Sequence, residues 1–165
     1  MSGLKLILTA LLIALNAFFV IAEYALVRSR RARLEPMREE GLRGAALALR
    51  QLDAINEYIS AVQIGVTMTS IGIGALGEPA LANLLKRALG GTIAHGIAVV
   101  ISVVLAFVII TATQLIAGEM VPKFYAIDHA ETVARRVARP LQAFSKLFRP
   151  LITLLTAVSG WILRL

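Results

Sequence analysis

The chain has 165 residues, of which 58% are hydrophobic and only 16% are charged, and its formal net charge is +7. Soluble domains carry about 25% charged residues, so this composition indicates an integral membrane protein with one membrane domain. The cations flank apolar runs, which favours a membrane surface over nucleic acid as the partner of the positive charge. The chain contains no cysteine, which excludes disulfides and thiolate metal sites within it.

Three apolar stretches are long enough to cross a bilayer, which takes about 20 residues of helix. They predict spans at about residues 4–28, 58–85 and 92–118 of an all-α integral membrane fold. A shorter apolar run, Leu151 to Leu163, predicts a half-inserted or interfacial helix with Trp161 and Arg164 as headgroup anchors.

Most of the basic residues lie on one side of these spans. Only two follow the second span, Lys86 and Arg87. The loop after the first span and the segment after the third carry many more: Arg28, Arg30, Arg31, Arg33, Arg38, Arg43, Arg50, Lys123, Arg135, Arg136, Arg139, Lys146 and Arg149. By the positive-inside rule, the N-terminus is expected outside and the C-terminus in the cytoplasm.

The segments between and after the spans also predict helices. Apolar residues recur at near-helical spacing between residues 44 and 56, which predicts an amphipathic juxtamembrane helix there. Two further juxtamembrane helices are predicted at about residues 129–138 and 140–164, separated near Pro140, with Pro150 as a second punctuation point.

The second span contains the glycine-rich run Gly72-Ile73-Gly74-Ala75-Leu76-Gly77, followed by Pro79. No strand precedes it and no βαβ unit is possible, so a dinucleotide site is not expected. Two interpretations stay open. The glycines allow close helix packing, or together with Pro79 they break the helix and line a wet cavity.

The third span ends in Gly118-Glu119-Met120-Val121-Pro122-Lys123. Because Pro122 has no N–H, the Gly118 carbonyl loses its helical partner one residue before the Glu119 carboxylate. Such oxygens are ligands for hard cations such as magnesium or sodium. The alternative is that Glu119 and Lys123 pair at i,i+4 and reach the membrane boundary together.

Oxygen-bearing side chains at a similar depth on the other two spans favour the ion site. An acid so close to hydrocarbon is costly and usually functional. The predicted metal ligands are Glu119, Gly118, Thr67, Glu23, Asn16 and Ser70. The sequence contains no HExxH or Ser-His-Asp arrangement, so neither enzymatic activity nor a bound cofactor is expected.

Three motifs in order resemble the transmembrane domain of the CNNM/CorC family, the hemolysin-related magnesium transporters, in its bacterial branch. Gly118-Glu119-Met120-Val121-Pro122-Lys123 resembles the G-E-x-x-P-K motif. Asn16-Ala17-Phe18-Phe19 with Ala22-Glu23 resembles the first helix. Gln63-Ile64-Gly65-Val66-Thr67 with Gly77-Glu78-Pro79 resembles the second.

The resemblance implies a homodimer of three-span subunits that transports magnesium, mainly outward. It also implies a cytoplasmic CBS-pair region downstream of this chain, which would be the isolated membrane domain, and a place in the bacterial inner membrane. Its ion ligands correspond to Glu119 and Thr67, whereas the serine positions fall on Val20 and Ala22, which offer no side-chain oxygen. Glu23, Asn16 or backbone carbonyls would then substitute, or the ion binds hydrated, or the substrate differs.

Three hypotheses follow. The first is a magnesium transporter with its ion near Glu119 and sodium as the candidate coupling ion. The second is an exporter of organic cations such as diamines. The third is a dimeric membrane anchor that transports nothing.

Overall fold

The computed structural model describes residues 2–89 and 95–162. These residues form helices and no strand, which confirms the predicted all-α class for this part of the chain. The elements run in the order α1 (Ser2–Arg28), α2 (Arg31–Glu39), α3 (Ala45–Asp53), α4 (Ile55–Leu89), α5 (His95–Thr113), a π-helical segment (Gln114–Met120), α6 (Val121–Asp128) and α7 (Ala130–Ile162).

Three helices are long and apolar enough to cross a membrane. They are Ser2–Arg28, Ile55–Leu89 and the continuous stretch Gly96–Asp128, which joins α5, the π-helical segment and α6. The prediction of three candidate spans is therefore confirmed by length and composition. The predicted start of the third span at residues 92–94 and the end of the last helix at 163–164, with Arg164, lie outside the described residues.

The chain divides into two compact units. The first unit comprises Met1–Phe18 and Thr67–Pro122, and the second comprises Phe19–Val66 and Lys123–Leu165. Both α1 and α4 therefore contribute residues to each unit.

Small residues allow α4 to pack closely inside the first unit. A Cβ at Gly72 would lie 2.9 Å from Leu12 Cδ1, and one at Gly77 would lie 2.7 Å from Thr9 Cγ2. Helix α4 is continuous through the glycine-rich run and Pro79 and ends at Leu89. The broken-helix interpretation of this run is therefore wrong for α4, and the packing interpretation holds at Gly72 and Gly77. Neighbouring helices can satisfy the backbone that a membrane proline frees.

The second unit has its core among α2, α3 and α7. Its buried residues include Leu34 of α2, Leu47 and Ala48 of α3, and Val133 and Ala134 of α7. Helix α2 was not predicted from sequence, because its arginines and Pro36 obscure any apolar period.

Helix α7 runs without interruption from Ala130 to Ile162, although two separate helices were predicted there. It contains both Pro140 and Pro150. An interior proline removes one helical hydrogen bond and costs about 3 kcal/mol. The continuous helix is retained because its buried residues recur with helical spacing: Ala130, Val133, Ala134, Ala138, Leu141, Ser145 and Ile152.

Candidate ion-binding site

The π-helical segment Gln114–Met120 changes the hydrogen bonding of the third span just where Glu119 lies. At its end the Val121 N–H donates to the Ile116 carbonyl, five residues back. The next residue, Pro122, has no N–H to donate to the Gly118 carbonyl, which lies four residues before it. Such π segments are rare and occur frequently at functional sites. The sequence correctly located an irregularity here, because glycine and proline flank the acid.

The Gly118 carbonyl accepts a hydrogen bond from another span. Asn16 Nδ2 of α1 donates to it at 3.1 Å. Asn16 is fully buried, and Gly118 is buried as well. The sequence predicted that this carbonyl would be unpaired, and that prediction is wrong, because the side chain of α1 takes the place of the missing N–H. A carbonyl oxygen has a second lone pair, so one accepted bond still leaves a site for a further donor or a cation.

The other end of the Asn16 amide joins a third span. Thr69 Oγ1 of α4 donates to Asn16 Oδ1 at 2.7 Å, and the Thr69 side chain is buried too. Asn16 thus connects α4 to the π-helical segment through one amide. We call Asn16, Thr69 and Gly118 the buried triad. A buried polar group without a partner costs free energy, so these mutual bonds fix the orientation of the Asn16 amide.

A second interhelical bond lies in the same unit. Gln114 Nε2, at the start of the π-helical segment, donates to Ser70 Oγ of α4 at 2.9 Å. Ser70 was a predicted ligand, whereas Gln114 was missed. The available signal was its position inside an uncharged run, four residues before Gly118 and therefore on the same side of the helix.

Glu119 supplies the negative charge beside the triad. It follows Gly118 directly in the π-helical segment, and its side chain is half-buried. Among the described residues, its carboxylate takes part in no ion pair. The carboxylate is therefore available to a cation from outside the chain.

Thr67 and Glu23 are the other two predicted ligands. Thr67 is exposed on α4, two residues before the triad threonine. Glu23 belongs to the second unit, where Gln63 Nε2 donates to its Oε1 at 3.5 Å. In the same unit the Lys123 ammonium lies 4.7 Å from the centre of the Tyr24 ring, a cation–π geometry.

Within residues 2–89 and 95–162, no group of three or more histidine, aspartate or glutamate side chains could jointly hold a metal ion. A cation beside Glu119 would therefore need neutral oxygens, such as carbonyl, amide and hydroxyl groups, in addition to carboxylate.

Residues 7–165 match the family model of CNNM, the cyclin M transmembrane N-terminal domain. The chain belongs to the CNNM family. The match covers nearly the whole chain and confirms the resemblance drawn from the three motifs.

Relatives in several bacteria are similar to this CNNM domain along almost its full length. It is 42% identical over 156 residues to the UPF0053 protein YhdT of Bacillus subtilis, covering 92% of this chain and 33% of that protein. It is 35% identical over 170 residues to the UPF0053 protein YrkA of the same organism, covering 100% of this chain and 38% of that protein. An uncharacterized protein of Mycobacterium tuberculosis is 36% identical over 159 residues, covering 96% of this chain and 45% of that protein.

The chain spans about a third of the length of the Bacillus relatives that it matches.

Proposed function

We propose that this CNNM domain transports divalent cations, with magnesium as the ion, export as the direction, and the binding site beside Glu119. The observation that carries the proposal is the buried triad. It joins three spans at the residue next to a half-buried carboxylate that forms no ion pair with residues 2–89 or 95–162, inside a π-helical segment.

The chemistry of these groups suits a hard cation. Magnesium prefers oxygen ligands, demands a near-octahedral shell and gives up its water reluctantly. The first unit offers the Glu119 carboxylate, the second lone pair of the Gly118 carbonyl, and the side-chain oxygens of Asn16 and Ser70. One carboxylate among neutral oxygens favours a partly hydrated ion over a fully stripped one.

Val20 and Ala22 stand at the positions of the family's serine ligands and offer no side-chain oxygen, so another residue of α1 would have to supply one. Both of those side chains are buried and apolar, with exposed fractions of 5% and 0%. Asn16, in contrast, already places its amide oxygen in the buried triad. We therefore propose Asn16 as the oxygen donor of α1.

The proposal also covers the oligomeric state, the orientation in the membrane, the downstream domain and the coupling ion. The domain acts as a homodimer in the bacterial inner membrane, with its arginine-rich first loop and its C-terminus in the cytoplasm. A cytoplasmic CBS pair follows it in the full-length protein, and sodium is the coupling ion. The arginines after α1 support the orientation.

The non-transporting anchor is the second candidate, and one observation favours it. Asn16, Thr69 and Gly118 already satisfy one another, as they would in a cluster that only holds helices together. The two candidates differ in what Glu119 does, since an anchor has no use for an unpaired carboxylate.

Cation-dependent melting of the purified chain separates these functions. The unfolding temperature is measured in detergent with magnesium, sodium or putrescine, for the unmodified chain, Glu119→Gln and the control Glu78→Gln. Glu78 is also a half-buried acid on a span, but it takes part in no bond of the triad. The proposal predicts stabilisation by magnesium that Glu119→Gln abolishes and Glu78→Gln retains. Stabilisation by putrescine alone would indicate a diamine exporter, and no stabilisation by any cation would indicate an anchor.

A further inference from the structure

A cavity lies entirely within the second unit, between the start of α4 and the C-terminal half of α7. Its volume is about 480 Å³, within the range of about 300–1,000 Å³ typical of small-molecule pockets. Its lining is mostly apolar and comes from Asn56, Glu57, Ser60, Arg149, Ile152, Thr153, Thr156 and Ala157.

The two charged residues of this lining have opposite signs and do not neutralise each other. In the part of the chain that the structure describes, neither Glu57 nor Arg149 takes part in an ion pair within 4.0 Å. Both side chains are exposed. One pocket thus presents a separate anion and a separate cation, which is the complement of a zwitterion.

The hydroxyl groups strengthen the acceptor side of the pocket. Ser60 Oγ donates its proton to the Asn56 carbonyl at 2.9 Å, and Thr153 Oγ1 donates to the Arg149 carbonyl at 3.0 Å. With their protons committed to the backbone, both oxygens can only accept. Together with the Glu57 carboxylate they offer acceptors to a group rich in N–H donors, such as a primary ammonium.

The surface around the pocket is suited to contact with lipid. The same half of α7 exposes large apolar side chains beside the lining residues: Leu151, Leu154, Leu155, Val158 and Trp161. Trp161 is 65% exposed, and tryptophan is enriched where membrane and water meet. A lipid could place its headgroup in the charged pocket and its acyl chains along this apolar surface.

We propose that this pocket binds a phospholipid with a zwitterionic, primary-amine headgroup, its phosphodiester on Arg149 and its ammonium on Glu57. A trimethylated headgroup has the same charge but no N–H to donate, and an anionic glycerol headgroup lacks the cation that Glu57 attracts. The site therefore prefers phosphatidylethanolamine to phosphatidylcholine and to phosphatidylglycerol.

Lipid-dependent melting of the purified chain tests this preference. Apparent dissociation constants are measured for the three lipids with identical short acyl chains, and for free phosphoethanolamine. A hydrogen bond to a charged group is worth about tenfold or more in affinity, so phosphatidylethanolamine binds about tenfold tighter than phosphatidylcholine. Equal affinities would overturn the proposal. Binding of free phosphoethanolamine as tightly as the lipid would overturn it as well, because the occupant would then be a soluble zwitterion.

Variants assign the two ends of the headgroup. Glu57→Gln reduces the preference for phosphatidylethanolamine over phosphatidylcholine, whereas Arg149→Gln weakens both lipids by about tenfold and keeps the preference. The matched controls, Glu39→Gln on α2 and Lys146→Gln on α7, remove exposed charges outside the pocket and change neither affinity. A Glu57→Gln variant that keeps the full preference would contradict the assignment.

Discussion

Asn16 and Gly118 lie 102 residues apart in the chain, yet the Asn16 amide donates to the Gly118 carbonyl at 3.1 Å. The bond exists because Pro122 leaves that carbonyl without its helical N–H. A side chain of one span thereby completes the backbone of another, one residue before Glu119.

Replacing Asn16 with alanine should destabilise the fold. The change removes both side-chain bonds of the buried triad and leaves the Gly118 carbonyl short of a donor. Hydrogen bonds between membrane helices average about 0.6 kcal/mol, so two of them and the cavity amount to about 1–3 kcal/mol of unfolding free energy. Titration with a denaturing detergent, followed by circular dichroism, measures the loss.

Ser102→Ala is the matched control for that experiment. Ser102 is equally buried in α5, but its hydroxyl donates only to Ala98 of the same helix, at 2.7 Å. Its loss should cost less than about 1 kcal/mol. If the two variants unfold alike, the triad does not hold the spans together.

Replacing Pro122 with alanine should separate stability from ion binding. Alanine restores an N–H that can compete with Asn16 for the Gly118 carbonyl and relax the π-helical segment toward α-helix. The chain should become more stable, by up to about 3 kcal/mol. It should nevertheless lose most of its magnesium-dependent stabilisation, which melting with and without magnesium measures.

Pro79→Ala makes the same exchange in α4, away from the triad. We expect it to retain the full response to magnesium. An equal loss of response in both proline variants would mean that the effect is not specific to the Gly118 carbonyl.

Gly44 should be intolerant of a side chain. It has φ of +85° at the start of α3, and a Cβ there would collide with the backbone carbonyl of Arg135 on α7. A left-handed conformation costs a non-glycine residue about 1–2 kcal/mol, and overpacking adds about 1–3 kcal/mol. Gly44→Ala should therefore lower the unfolding free energy by about 2–5 kcal/mol in the same detergent titration.

Gly41→Ala supplies the comparison. Gly41 also has a positive φ of +72°, but a Cβ there meets nothing within 4 Å. Only the conformational cost of about 1–2 kcal/mol should remain. Equal losses at both positions would exclude a tight contact between α3 and α7.

Sequence reasoning succeeded for features that the chain encodes locally. Long apolar runs fixed the three candidate spans, and Gly118 with Pro122 located the irregular end of the third. It failed where a distant residue decides the outcome. Nothing local to Gly118 shows that Asn16 will reach its carbonyl, so that oxygen was expected to be unpaired.

Proline positions mislead for the same reason. Pro79, Pro140 and Pro150 each remove a local hydrogen bond. The sequence therefore predicted two helices separated near Pro140, with Pro150 as a second punctuation point, and a helix break near Pro79 was one of two open interpretations. The structure keeps α4 and α7 continuous. The packing of each helix stabilises it by more than the lost hydrogen bond costs, and this packing depends on distant residues that the local sequence does not show.

Gln114 was overlooked because it is a single neutral residue in an apolar run. The roles of Glu23 and Thr67 as ligands stay predictions.

Magnesium flux through proteoliposomes tests the central claim most directly. Vesicles containing the unmodified chain, Glu119→Gln or Glu78→Gln are loaded with a magnesium-sensitive dye and placed in a magnesium gradient. The account predicts flux with the unmodified chain and with Glu78→Gln, and flux at the level of empty vesicles with Glu119→Gln. Normal flux through Glu119→Gln would contradict it, because the carboxylate beside the buried triad would then have no part in carrying the ion.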